Sequence, residues 1–181
     1  MSTTSASSLG RVAQAALLGS LMLVAVAPAR AQPTTAVAIA GNVSDARTMT
    51  VDDLRRLPPH RFEYAPRRGS DAPTDAVARQ YTGALLRDVL SAAKPVESKP
   101  RELRRSYVVA AASDGYEVVF SWGELFLSPQ GDSVFVVYER DGAPLGDDEG
   151  KIALVAAGDR GSARHVKWLK TLTLRAAGGG P

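Results

Sequence analysis

The apolar positions of this chain fall mostly in short runs bounded by Gly, Pro and Asp, the pattern of strands rather than long helices. Val37–Gly41 is a short apolar strand candidate, followed by a second at Arg47–Thr50. In Thr50-Val51-Asp52-Asp53 the Thr caps a helix start and Asp53 reaches back to it, with Leu54 and Leu57 as the buried side and Pro58-Pro59 as the stop. His60–Ala65 alternates large and charged residues as a strand does, and 66–74 reads as a loop. Ala76–Thr82 resumes extended structure. Gly83 then opens a helix in which Leu85, Leu86, Val89, Leu90 and Ala93 share one face.

Beyond a polar connector, Ser106–Ser113 and Gly115–Phe120 flank Asp114-Gly115, a strong hairpin signal. Ser121 and Glu124 form a capping box ahead of Leu125-Phe126-Leu127, and Pro129 ends that helix. Ser133–Glu139 is a nearly continuous apolar strand, expected to be buried on both faces. After an Asp141-Gly142 turn, Lys151–Ala156 and Val166–Leu174 are the last strands, the latter with a bulge or register change. The pattern gives eight or more strands and three short helices. That is an α+β domain, mainly β, with a mixed-sheet or sandwich core and helices at its side.

The ends change the picture. Arg11 precedes the apolar run Ala15–Ala27, and Ala29-Arg30-Ala31 is a small-x-small cleavage site. This is the three-part pattern of a secretory signal peptide, with an apolar run too short to span a bilayer. The expectation is a signal peptide over 1–31, a domain over 32–175, a flexible tail over 176–181, and a periplasmic or secreted location with no membrane span after cleavage. Without Arg11 and Arg30 the charge balance is 20 basic to 19 acidic residues, which does not suit a nucleic-acid partner. The chain has no cysteine, so its stability must come from packing and not from disulfides. Its two histidines, His60 and His165, lie far apart, so no metal site is expected.

Candidate chemistry concentrates in the loop 158–168. Gly158 and Gly161 let a ligand approach the backbone, and Arg160, Arg164, His165 and Lys167 surround it with positive charge. This composition suits a phosphate or another oxyanion, and backbone amides in such a turn add to an anion nest. The alternative is a solvated basic turn. A second basic run, Arg55, Arg56, His60, Arg61, Arg67 and Arg68, reads as a solvated helix end and loop, or as the lining of an anion cleft. Tyr116, Trp122 and Phe126 read as core, or as a wall of an apolar pocket. Asp147, Asp148 and Glu149 read as a water-facing turn.

Several of these segments stand in a familiar order. Tyr81-Thr82-Gly83-x-x-Leu86-x-x-Val89-Leu90, Asp114-Gly115-Tyr116 with the 121–127 helix, Asp141-Gly142-x-Pro144-Leu145, and Ala163-Arg164-His165-Val166-Lys167-Trp168-Leu169 follow one another over most of 41–175. The chain in this respect resembles the molybdopterin-binding domain of sulfite oxidase-type oxidoreductases. The resemblance implies that fold, molybdopterin as cofactor, and a role for Arg164, His165 and Lys167, with Arg160 as a lesser candidate, in holding the phosphate and pterin of the cofactor, beside the backbone access that Gly158 gives. The family's molybdenum-ligating cysteine falls in the interval 62–81, which here contains none; Tyr64, Asp71 or Asp75 is the candidate for an oxygen ligand in its place. The expected function is a periplasmic member of this fold that binds an anionic, pterin-phosphate-like ligand without the molybdenum thiolate. The alternatives are a molybdenum-cofactor-dependent oxidoreductase and a non-catalytic scaffold for a periplasmic protein partner.

Overall fold

In the computed structural model the described residues are 33–66, 77–97 and 101–178. The expected signal peptide, the basic pair Arg67 and Arg68, and Asp71 and Asp75 lie outside them, as does the end of the expected tail. No helix among the described residues is long and apolar enough to cross a membrane.

Two five-stranded sheets face each other. The first is mixed, with the order β2 (Arg47–Thr50), β1 (Ala36–Gly41), β10 (Leu169–Ala176), β5 (Ser106–Ala112), β6 (Glu117–Ser121). Only its β1–β10 pair is parallel. The second is antiparallel: β3 (His60–Tyr64), β4 (Arg79–Leu85), then β7 (Val134–Arg140), whose far edge takes both β8 (Ala143–Pro144) and β9 (Ala153–Ala156). Three short helices, α1 (Val51–Arg55), α2 (Leu86–Ala92) and α3 (Trp122–Phe126), pack against this frame. Thr50 and Ser121 head α1 and α3 with the two capping boxes expected from the sequence.

Strand alternation sorts the side chains into two apolar layers. Val134, Val136 and Tyr138 of β7 and Leu154 of β9 join Val37, Ile39, Val108, Phe120, Leu172 and the helix residues Leu90 and Leu125 in the core between the sheets. Phe135 and Val137, with Ala153 and Val155, point the other way, into an outer layer with Tyr64, Tyr81, Leu85 and Leu145. The middle of the second sheet, β7 with β9, is therefore buried on both faces, which explains why β7 reads as an unbroken apolar run.

Three boundaries differ from the sequence reading. Gly83 lies within β4, and the helix begins at Leu86. Glycine is required there because a Cβ would fall on the Val136 carbonyl oxygen of the neighbouring strand, where the β4–β7 register shifts. The final strand starts at Leu169, because Trp168 adopts a left-handed φ of 50°. Val166 instead makes an isolated antiparallel bridge with Leu154. In β9 the strand is limited to Ala153–Ala156.

Candidate functional site

The loop between β9 and β10 crosses from one side of the domain to the other. Val166 exchanges two backbone hydrogen bonds with Leu154 (2.9 and 2.8 Å) and buries its side chain in the main core. Its neighbour His165 turns to the opposite face, into the outer aromatic layer. Arg164, one residue earlier, closes a 3₁₀ turn at Ser162–Arg164 and points toward α3.

Arg164 is already paired. Its Nε and Nη2 donate to the two oxygens of Asp159 (2.7 and 2.6 Å), and Nη1 donates to Glu124 Oε1 (2.6 Å). The guanidinium lies 4.4 Å over the Phe120 ring. Its pKa is raised, first by the hydrogen bond to Asp159. The fork to Asp159 and the bond to Glu124 commit three of its five N–H groups, and its charge is already balanced by two carboxylates. Tyr116 OH donates to the Ala163 carbonyl, so the hairpin and α3 together strap this loop.

The other loop candidates separate. Arg160 is exposed and makes no ion pair among the described residues; it borders a cleft of about 250 Å³ with Glu63, Tyr64, Ala157, Asp159 and Gly161. Lys167 reaches only the Asp148 carbonyl, at 3.5 Å. Neither Gly158 nor Gly161 has positive φ, and Gly161 stands at −136°, so the two glycines do not supply the left-handed step that folds backbone amides into a nest. Gly158 is needed for room, since a Cβ would meet Ser133 Oγ.

His165 sits edge-on to two tyrosines, with ring centroids 5.6 Å from Tyr64 and 6.4 Å from Tyr81. Burial lowers its pKa, so the imidazole is neutral near pH 7. Tyr81 OH donates to Glu149 Oε1 (3.0 Å), and Arg140 Nη1 donates to the same oxygen (2.9 Å). Burial pushes the Tyr64 phenol up to about 12 and raises that of Tyr81.

Glu149 is the residue that sequence reasoning misplaced. It is 3% exposed, while its turn neighbours Asp147 and Asp148 pair with Lys151 and Arg140 at the surface. The cause is local. Trp168 N–H donates to the Glu149 carbonyl (2.7 Å), and Gly150, at φ 77°, lies so close to Trp168 that a Cβ would come within 2.9 Å of its Cα. With the turn clamped in this way, the Glu149 side chain faces Tyr81 and Arg140 and not water. The signal for it was Gly150 beside an acidic run, facing a tryptophan at the entry to the last strand.

The remaining groups are structural. Arg55 pairs with Glu139 (3.0 Å) and Arg56 with Asp53 (2.6 Å), while the His60 ring tilts against Phe135. Trp122 and Phe126 stack at 3.8 Å on the main core, whereas Tyr116 is largely exposed, so these three do not form one wall.

Comparison with known proteins places this arrangement. No curated protein matches the chain. Among solved structures, the sulfane dehydrogenase SoxCD from Paracoccus pantotrophus is similar, with a TM-score of 0.62 and 20% identity over 80% of this chain. The match covers 39% of that protein's chain, so the likeness is one of fold over part of a longer molecule. A family model described as the oxidoreductase molybdopterin binding domain matches residues 25–178. With the sheet order, the resembling segments and this match in agreement, the chain belongs to the oxidoreductase molybdopterin-binding domain family.

Proposed function

We propose that this protein is an exported binding member of its family, which takes an anionic, pterin-phosphate-like ligand and works without a thiolate-held molybdenum. The family's cofactor has two ends, and this chain treats them differently. At the metal end the residues do not fit a thiolate anchor. The sequence has no cysteine, and no group of three or more His, Asp or Glu among the described residues is arranged to hold a metal ion.

At the anion end, one observation carries the reading. Arg160 borders the cleft beside Tyr64 and makes no ion pair among the described residues, while the adjacent Asp159 is already neutralised by Arg164. Arg164 thus acts as a positioning residue. It holds the loop and keeps Asp159 from cancelling Arg160. Lys167, which among the described residues meets a neutral carbonyl and no carboxylate, adds a second cation to the loop. The cleft has room for a phosphate or a single ring but not for a large dinucleotide. The signal-peptide pattern over 1–31 supports export to the periplasm, where a protein partner is a further expectation.

Calorimetric titration with inorganic pyrophosphate tests this reading. Saturable binding to the wild type that weakens by about ten- to a hundredfold in Arg160→Ala Lys167→Ala is the expected result, given about 1.5–3 kcal/mol for a charge-assisted hydrogen bond. Equal affinity in a folded double variant removes the assignment.

A further inference from the structure

A second cleft, of about 580 Å³, lies at the end of the first sheet where β1 and β10 stop. Backbone hydrogen bonds fix its frame. Asn42 donates its N–H to the Leu174 carbonyl (2.9 Å), and its own carbonyl accepts from Val96 N–H (2.9 Å). Arg105 N–H and Ser106 Oγ both donate to the Glu102 carbonyl (3.0 and 3.1 Å), which closes the 3₁₀ turn Leu103–Arg105. Ala177 N–H then ties this turn to the last strand through the Arg105 carbonyl (2.8 Å). The side chains of Asn42, Glu102 and Arg105 border the cleft, with Val43 and Val96 as its apolar wall. The loop 158–168 enters β10 at the other end of that strand, so this cleft is separate from the one at Arg160.

None of these three polar side chains makes a hydrogen bond or an ion pair among the described residues. The gap between Glu102 and Arg105 is the informative one. They stand three residues apart on one 3₁₀ turn, where such positions eclipse. In the same order and at the same spacing, Asp52 with Arg55 and Asp53 with Arg56 close into ion pairs at 3.4 and 2.6 Å. Glu102 and Arg105 stay open across the cleft they share. An exposed pair gains little by closing, so the fold holds it open at small cost. An acid and a base kept apart, with a carboxamide beside them, match a molecule that carries both charges. Arginine offers a fork to a carboxylate, a carboxylate accepts from an ammonium, and the Asn42 amide can add a bond to either. A simple anion would meet Glu102, and a simple cation would meet Arg105. We propose that this cleft binds a small zwitterion of the amino acid class, with its carboxylate on Arg105, its ammonium on Glu102 and an apolar side chain against Val43 and Val96. The volume falls within the range of small-molecule sites.

The test uses the whole protein and L-leucine as probe, followed by NMR through the nitrogen resonances of the Asn42 carboxamide and Arg105 Nε. Isocaproate and isoamylamine, which are leucine without its ammonium and without its carboxylate, serve as half-ligands. The expected result is a saturable shift of both signals with leucine, and affinity about tenfold or more weaker for each half-ligand, in line with the loss of one charge-assisted bond. Followed at Asn42, Arg105→Gln and Glu102→Gln should each weaken leucine by about tenfold. Arg104→Gln removes the same charge from an exposed neighbour that does not border the cleft, and should leave leucine binding unchanged. A wild type with no saturable shift overturns the proposal. So does isocaproate binding as tightly as leucine, which would mark a plain anion site, or equal weakening by Arg104→Gln, which would reduce the effect to net basic charge. Unaltered affinity in both Arg105→Gln and Glu102→Gln, with the remaining resonances in place, removes the assignment.

Discussion

Arg164 and His165 are adjacent in sequence, yet they anchor polar clusters built on opposite rules. On the α3 side, three nitrogens of Arg164 find carboxylate oxygens at 2.6–2.7 Å, and Glu124 also completes the capping box of Ser121. On the outer-layer side, His165 and Glu149 are packed among tyrosines with one atom of each left unpartnered. The first cluster fixes the loop, and a ligand arriving there would have to displace an existing ion pair. The second has unused hydrogen-bonding capacity, and a ligand arriving there would complete it. Cationic residue types alone point to the first cluster, whereas unused hydrogen-bonding capacity among the described residues lies in the second.

The comparison is broken most severely at Arg164. Replacement by Ala strands the Asp159 and Glu124 carboxylates, whose side chains are 16% and 20% exposed. A loss of about 2–4 kcal/mol is expected, somewhat below the cost of breaking a fully buried pair, and urea denaturation measures it. Ser121→Ala removes the α3 cap at the same corner and should cost about 1 kcal/mol on the same scale. His165→Phe, which keeps an aromatic ring and removes an orphaned nitrogen, should change stability by less than about 1 kcal/mol in either direction. A result as large as that of Arg164→Ala would place an unseen structural bond at His165.

Proton linkage sharpens the contrast. His165 has a folded pKa below its ordinary value of 6.5, so on acidification the unfolded chain takes up the proton first. Its contribution to stability is fully present above about pH 6.5 and is lost as the pH falls through the lower folded value. His165→Phe should flatten this part of the stability–pH curve. Tyr64 and Tyr81 act at the other extreme. Their folded values lie above 10, so stability declines as the pH rises past 10, and Tyr64→Phe should reduce that decline.

Much of the frame was legible in the sequence, because period-two burial, the capping boxes at Thr50 and Ser121 and the Asp114-Gly115 hairpin are all local. Gly83 was misread because its requirement is tertiary: the carbonyl it must clear belongs to Val136, on a strand far along the chain. The candidate site was harder for the same reason. Residue type gave Arg160, Arg164, His165 and Lys167 a common charge, but only the fold shows that Arg164 is already paired while Arg160 is open. Glu149 looked like surface because it follows two aspartates. Its burial comes from the Trp168 clamp, which no local pattern encodes.

The central claim is that this member of the family works without molybdenum. It is tested most directly by elemental mass spectrometry of the native protein isolated from its own compartment, without chelators. Molybdenum far below one atom per chain, in protein that still binds pyrophosphate, is the expected result. Stoichiometric molybdenum that persists through gel filtration would contradict it.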